Sequence, residues 1–330
     1  MKHRVLVTGA TGFMGKRLVK ALIDNGCSVR VLVRNTELAH QEFQDSCEIV
    51  AGDTTRPETL VGCCDGVDIV YHLAALMGHD LPSEEAFKRF RAINVQGTVN
   101  IVRECQKAGV KRFIHVSSTA AMGLLKVPVV DETTECAAYT PYQVSKYESE
   151  CFVMEEYRKS GFPAVVLRPS MIYGPGFKGD FLTIAKVCKK GIFPTIGRGD
   201  NLSPALYITD LIHALILFAE KGEVGQIYLL SSEQSYTLRE TAMIISESLN
   251  KKLTFIYVPV WAAEFGAWLL EKTYGISKKH PPVTKRNIQS MVTDRLFDIN
   301  KAKEVGFVQQ VSFREGLSKT INYFKEQGYV

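Results

Sequence analysis

The sequence predicts an α/β fold: a doubly wound parallel sheet with a smaller, helix-rich region toward the C-terminus. Three observations predict it. Short β-branched apolar runs recur along the chain, helix-period segments separate most of them, and the runs are nearly continuous in apolar character. Strands buried on both faces read that way, and they belong to parallel sheets covered by helices on each side. At 330 residues the chain is long enough for one large α/β domain with an addition.

The runs are RVLVTG (4–9), VRVLVR (29–34), CEIVAGD (47–53), DIVYHLAA (68–75), RFIHVSS (112–118), AVVLRPS (164–170) and QIYLLSS (226–232). Between the fourth and fifth, residues 84–108 place Phe87, Phe90, Ile101, Val102 and Cys105 on one helical face. After residue 171 the pattern loosens into Gly/Pro-rich loops, YGPGFKGD and FPTIGRGDNLSP. The expected division is a main domain over 1–170 with returns at about 206–234 and 296–330. Residues 171–205 and 235–295 form the smaller region.

Apolar content of 46% and charge of 23% are ordinary for a globular protein. The net charge of +5 is spread out, and the basic groupings (CKK, SKKH, TKR) are short, which argues against nucleic acid as a partner. None of the eight cysteines forms a C-x-x-C pair, so they read as reduced core residues of a cytoplasmic protein, with no metal. MKHR runs straight into the first strand, so no signal peptide is expected. No run of about 18 apolar residues calls for a membrane span.

The first strand ends in VTGATGFMG, where Gly9, Gly12 and Gly15 recur every third residue. Glycine permits a tight turn and lets backbone approach a ligand closely. The helix beginning near Phe13 points free N–H groups at that turn, which suits a pyrophosphate. In the first strand of an α/β chain, this is where dinucleotides bind. Arg34 ends the second strand, with no carboxylate before Glu37. An arginine there accepts the 2′-phosphate of NADP, whereas NAD calls for an acidic residue. NADP(H) is therefore favoured, with NAD(H) the alternative.

TPYQVSK (140–146) predicts a helix start. Thr140 suits the N-cap, Pro141 the first helical position, and Gln143 completes a T-x-x-Q capping box. Tyr142 then lies one turn before Lys146 on the same face. A free phenol has a pKa of about 10, so proton exchange near neutrality needs roughly 4 kcal/mol of phenolate stabilisation. A nearby lysine, the positive helix end and an oxidised nicotinamide all act in that direction.

The G-x-x-G-x-x-G spacing and the Tyr142-x-x-x-Lys146 pair resemble the extended short-chain dehydrogenase/reductase superfamily, which includes the NAD-dependent epimerase/dehydratase family. The resemblance spans nearly the whole chain, to LFDINKAKEVGF, and implies a Rossmann-type NAD(P)-binding domain with a substrate-binding region. It implies cofactor contacts from Gly9, Thr11, Gly12, Phe13, Met14, Gly15, Arg34, Asp53 and Thr54. HLAA adds Leu73, Ala74 and Ala75, INVQGT adds Asn94, and LRPSMIYGPG adds Pro169, Ser170 and Ile172. Counting back from Gly123 gives Ser118 as the catalytic hydroxyl, with Ser117 the alternate. Tyr142 would move the proton. Lys146 would hold the ribose hydroxyls and lower the phenol pKa, so both would also contact cofactor.

Two branches fit. One resembles dihydroflavonol reductases and 3β-hydroxysteroid dehydrogenases, acting on a ketone or secondary alcohol. The other resembles nucleotide-sugar epimerases and dehydratases with tightly held NAD. Arg34, Met122 in place of a tyrosine, and Ser203 in place of a diphosphate-binding arginine favour the first. A silent NAD(P)-binding scaffold is a third reading, disfavoured by the intact Ser-Tyr-Lys set. The resemblance also implies a homodimer. Residues 258–275, with Trp261, Phe265, Trp268 and Leu269, read first as a helix packed on the substrate region. A lid over an apolar substrate and a membrane-surface helix are the alternatives.

Overall fold

The structure, a computed structural model, describes residues 3–78, 80–125, 127–276 and 283–330. The SKKH grouping and the first two residues of MKHR lie outside the described residues. In chain order the first half comprises β1 (Arg4–Thr8), α1 (Phe13–Asp24), β2 (Ser28–Val33), α2 (Thr36–Phe43), β3 (Glu48–Ala51) and β4 (Ile69–His72). Next come α3 (Glu84–Phe90), α4 (Gly97–Ala108), β5 (Arg112–Val116), α5 (Pro141–Ser160), β6 (Ala164–Pro169) and β7 (Met171–Tyr173). Then follow α6 (Asp180–Cys188), β8 (Ile192–Ile196), β9 (Leu202–Ser203), β10 (Ala205–Tyr207), α7 (Ile208–Lys221) and β11 (Ile227–Leu230). The chain closes with β12 (Tyr236–Thr237), α8 (Leu238–Ser248), β13 (Thr254–Val258), α9 (Val260–Ile276), α10 (Lys285–Val292), α11 (Asn300–Val305) and α12 (Phe313–Glu326).

The seven apolar runs become one parallel sheet in the order β11-β6-β5-β4-β1-β2-β3. The edge strand β3 is only half-buried, whereas the central strands are buried on both faces, and β1 shows how. Val5 and Val7 join the core that includes Leu18 of α1 and Leu211 of α7. Leu6 faces the other core, with Ile101 of α4 and Val153 of α5. Alternate residues therefore serve opposite layers, which makes the runs continuously apolar. From β1 the chain winds outward through β2 and β3, then crosses back to β4 on the other side. The switch opens a crevice at the carboxyl ends of β1 and β4, the usual ligand position in such sheets.

The helical segment 84–108 is interrupted: α3 and α4 are joined by a π-helical turn, Arg91–Gln96, which contains Asn94. Beyond residue 171, β11 still joins the large sheet, while the other strands pair in small two-stranded sheets: β7 with β10, β9 with β12, and β8 with β13. α10 packs against α9 and β8. α11 is tied to the main sheet by Lys301 Nζ, which donates to Ile227 O at 2.9 Å, and α12 packs against α8 and β10.

Two expectations need correcting. The cysteines are all free, but they are not all core residues: Cys151 is exposed, and Cys27, Cys47 and Cys136 are half-buried. α9 is not simply packed away, since Trp261, Phe265, Trp268 and Leu269 stay exposed. Among the described residues no helix is long and apolar enough to cross a membrane. Among them, too, no group of three or more His, Cys, Asp or Glu is placed to hold a metal ion.

Candidate active site

The glycine turn packs too closely for side chains. Gly9 has φ +69°, and a Cβ there would meet Ala74 N at 2.8 Å. A Cβ on Gly15 would meet Gly9 O at 2.2 Å and Ala10 O at 2.6 Å. Gly12 caps α1 without a side-chain hydrogen bond, and no acidic residue occupies the helix's first turn. The result is a cradle of backbone with an uncapped, positive helix end, which fits a dinucleotide pyrophosphate.

A cleft of about 1740 Å³ runs from this turn across the carboxyl edge of the sheet. Of the residues expected at the cofactor, Gly9, Thr11, Gly12, Phe13, Met14, Gly15, Arg34, Asp53, Thr54, Leu73, Ala74, Ala75, Pro169, Ser170 and Ile172 line it, as do Ser118 and Tyr142. Asn94 and Lys146 are buried behind the wall. Arg34 is exposed, close enough to Asp53 to help hold its carboxyl below the usual range. Burial opposes that lowering most strongly, while the Thr55 amide and hydroxyl, on Asp53 Oδ1 at 2.9 and 2.8 Å, drive it. Asp53 thus forms a turn and lines the cleft at once. Asn100 Nδ2, on α4, donates to Thr54 O at 2.8 Å and fixes that turn.

α5 begins as its first residues dictate. Thr140 Oγ1 accepts from Gln143 N at 3.3 Å, Gln143 Oε1 accepts from Thr140 N at 3.1 Å, and Pro141 fills the first position. The buried face of this helix is largely polar: Ser145, Lys146, Ser149 and Glu150 precede Val153. Ser118 caps the turn after β5, accepting from Ala120 N at 3.1 Å, and its hydroxyl lies on the cleft wall close enough to the Tyr142 phenol to pull its pKa down. Ser117 Oγ instead donates to Glu150 Oε1 in the interior. Ser118 is therefore the hydroxyl that reaches the tyrosine.

Burial raises the Tyr142 phenol above its usual range, and the Ser118 hydroxyl beside it opposes the rise. The direction differs from the lowering that Lys146 was expected to cause. The lysine is itself deeply buried, and its ammonium needs an acceptor: Nζ donates to Val116 O at 2.7 Å. Burial lowers its pKa to about 8, against the attraction of Glu150. Glu150 is in turn gripped by Arg168, with Nε and Nη2 at 2.9 and 2.6 Å from Oε2.

A second polar chain supports the opposite wall. Thr98 Oγ1 donates to Asn94 O at 2.7 Å, so it must accept from His72 Nε2 at 3.0 Å. Thr8 Oγ1 accepts from Ala74 N at 3.2 Å and donates to His72 Nδ1 at 2.8 Å. The donors and acceptors leave one assignment: neutral His72 with its proton on Nε2. Asn94 completes the support. Its Oδ1 accepts from Leu76 N at 2.6 Å, and its Nδ2 donates to Leu76 O at 3.0 Å and Ser145 Oγ at 2.8 Å. Asn94 therefore braces the 72–76 segment and α5 from behind.

Sequence reasoning missed His72, Glu150 and Arg168 in this scaffold. The i, i+4, i+8 stripe Tyr142-Lys146-Glu150 was a readable signal for Glu150. It also missed Arg286 and Arg295, which line the far end of the cleft. Arg286 lies over the Tyr139 ring at 3.9 Å. Burial lowers the Arg295 guanidinium, with Asp180 opposing. Arg295 N donates to Leu202 O at 3.0 Å, so this arginine stands beside Ser203. Nothing local marks the pairing, because the two segments are over ninety residues apart in sequence.

The NAD dependent epimerase/dehydratase family profile matches residues 5–231. A 3β-hydroxysteroid dehydrogenase/Δ5→4-isomerase of Mycobacterium tuberculosis is 29% identical, over 97% of this chain and 90% of that protein. A UDP-glucose 4-epimerase of Vibrio cholerae is 27% identical, over 98% and 96%. The solved DesIV of Streptomyces venezuelae, a dTDP-glucose 4,6-dehydratase with NAD bound, is 25% identical with a TM-score of 0.77, over 99% and 98% of the two chains.

Proposed function

This chain belongs to the NAD-dependent epimerase/dehydratase family and is an enzyme, and we propose that it exchanges hydride between NAD(P) and a ketone or secondary alcohol as a carbonyl reductase or dehydrogenase. The observation that carries the reading is the placing of Ser118 and Tyr142 together on the cleft wall, with Lys146 one turn further along α5. Ser118 orients the substrate oxygen, and Tyr142 gives or takes its proton. The upward shift of the phenol keeps it a protonated donor until positive charge gathers at the site. Lys146 is the protein's share of that charge, and with one N–H on Val116 O it retains two more donors for ribose hydroxyls.

The glycine turn and the N-terminus of α1 hold the pyrophosphate. Asp53 meets the adenine, Arg34 favours a 2′-phosphate, and Pro169, Ser170 and Ile172 lie along the nicotinamide side of the cleft. When bound, the dinucleotide supplies the hydride chemistry.

Apolar residues of the cleft beyond Tyr142, among them Leu81, Leu125, Ile184 and Met291, suit a largely apolar carbonyl substrate. A second reading, a nucleotide-sugar epimerase or dehydratase, is favoured by Arg286 and Arg295. Two cations at that end suit a diphosphate, so Ser203 does not leave the wall neutral. The enzyme should oxidise NADPH when given a panel of apolar ketones. Interconversion of UDP-sugars without net cofactor turnover, with NAD released on denaturation, would replace the first reading by the second.

A further inference from the structure

Among the described residues α9 packs along one side on α10. Ala267 is buried, Glu264 lies 4.0 Å from Lys285 Nζ, and Glu271 Oε1 accepts from Lys285 N at 2.9 Å, so these positions face α10. Trp261, Phe265, Trp268 and Leu269 are 73%, 59%, 43% and 50% exposed. At helical periodicity they occupy about 100° of arc. Phe265 and Trp268 stack at 5.6 Å, and the exposed Lys272 sets its Nζ 4.7 Å from the Trp268 ring. An apolar face of this size, left open, marks an interaction site.

Charge identifies the partner. In sequence, the smaller region (171–205 with 235–295) holds fourteen Lys and Arg against seven Asp and Glu, a net +7. The whole chain is only +5, so the rest is net negative. Several of these cations are engaged, among them Lys285 with Glu264, Arg198 with Asp200, Arg286 with the Tyr139 ring and Lys272 with the Trp268 ring. Lys186, Lys189, Lys190, Lys251, Lys252 and Lys272 are exposed. A second copy would set one basic lobe against another, which like charge opposes. Aromatic side chains flanked by lysines fit the boundary of a bilayer with acidic headgroups.

We propose that the aromatic face of α9 seats this protein on the surface of an anionic phospholipid bilayer. The docking does not depend on which reaction the cleft performs. Because α10 lies under α9 and lines the cleft with Arg286, Ser290 and Met291, docking brings the substrate end of the cleft toward the lipid.

The chain's only two tryptophans are Trp261 and Trp268, so their emission reports on this face. The full-length protein is titrated with phosphatidylcholine vesicles, with and without about a third phosphatidylglycerol. The expected result is a blue shift and co-sedimentation with the acidic vesicles. The double substitution Phe265→Ser and Leu269→Ser should weaken partitioning about tenfold without changing Tm or dinucleotide binding. No shift and no sedimentation at low salt overturns the proposal. Sedimentation without a shift also overturns it, since the aromatic face would then be uninvolved. Emission already blue-shifted in buffer, in a dimer that the double substitution dissociates, would assign the face to a second copy instead.

Discussion

Tyr142 and Lys146 are spaced so that one can face a cleft while the other is buried behind it. Their pairing was legible because a capping box and an i, i+4 interval are local signals. What each side chain touches was not legible. The lysine's acceptor is the Val116 carbonyl, brought up by β5, and the serine that meets the phenol is one of two adjacent candidates. Only the strand's emergence shows that Ser117 turns inward to Glu150 while Ser118 turns outward. Replacing Tyr142 by Phe removes the hydroxyl and little else. Turnover should fall by about 10²- to 10⁴-fold, with dinucleotide affinity within about twofold, measured by steady-state kinetics and by fluorescence titration. Unchanged turnover would remove Tyr142 from its role.

Helix α1 and its turn show how an element makes a binding surface from the absence of side chains. The Gly15 Cα sits so close to Gly9 O and Ala10 O that a methyl group must displace backbone. Gly15→Ala should cost about 3 kcal/mol and abolish dinucleotide binding. Gly109 provides the contrast. It ends α4 at φ +66°, and a methyl group added there would meet nothing within 4 Å. Gly109→Ala should cost about 1 kcal/mol and leave binding intact. Thermal melts with and without NADP test both, and equal behaviour of the two variants would contradict the steric account. The spacing of the glycines announced the turn. The distance to β4 and Ala74 that makes Gly9 necessary is a property of the sheet. The π turn at Arg91–Gln96 was likewise absent from the sequence reading, because periodicity over 84–108 looks the same with one turn widened.

At the scale of the molecule, two imidazoles are buried near Lys146. His72 and His115 stack at 5.7 Å, and each lies near enough to Lys146 to feel its charge. Burial first, and that cation second, lowers His72 to about 3, and His115 moves in the same direction. An unfolded histidine titrates near 6.5, so below that pH the unfolded chain binds protons that the folded one refuses. The stability that His72 allows is present above about 6.5 and is lost as pH falls toward 3, at about 1.4 kcal/mol per pH unit, and His115 acts in the same direction. Thermal melts should show Tm falling between pH 7 and pH 5, where the lowered carboxylates have yet to titrate. A flat Tm across that interval would refute the account. The sequence by itself determined the sheet, the glycine turn, the start of α5 and the order of the motifs, because these rest on periodicity and local backbone preference. Only the tertiary structure decided that Ser118 meets Tyr142, that Arg295 stands beside Ser203, and that the aromatic face of α9 is left uncovered. Such contacts join segments far apart in the chain, and no local preference specifies which of them meet.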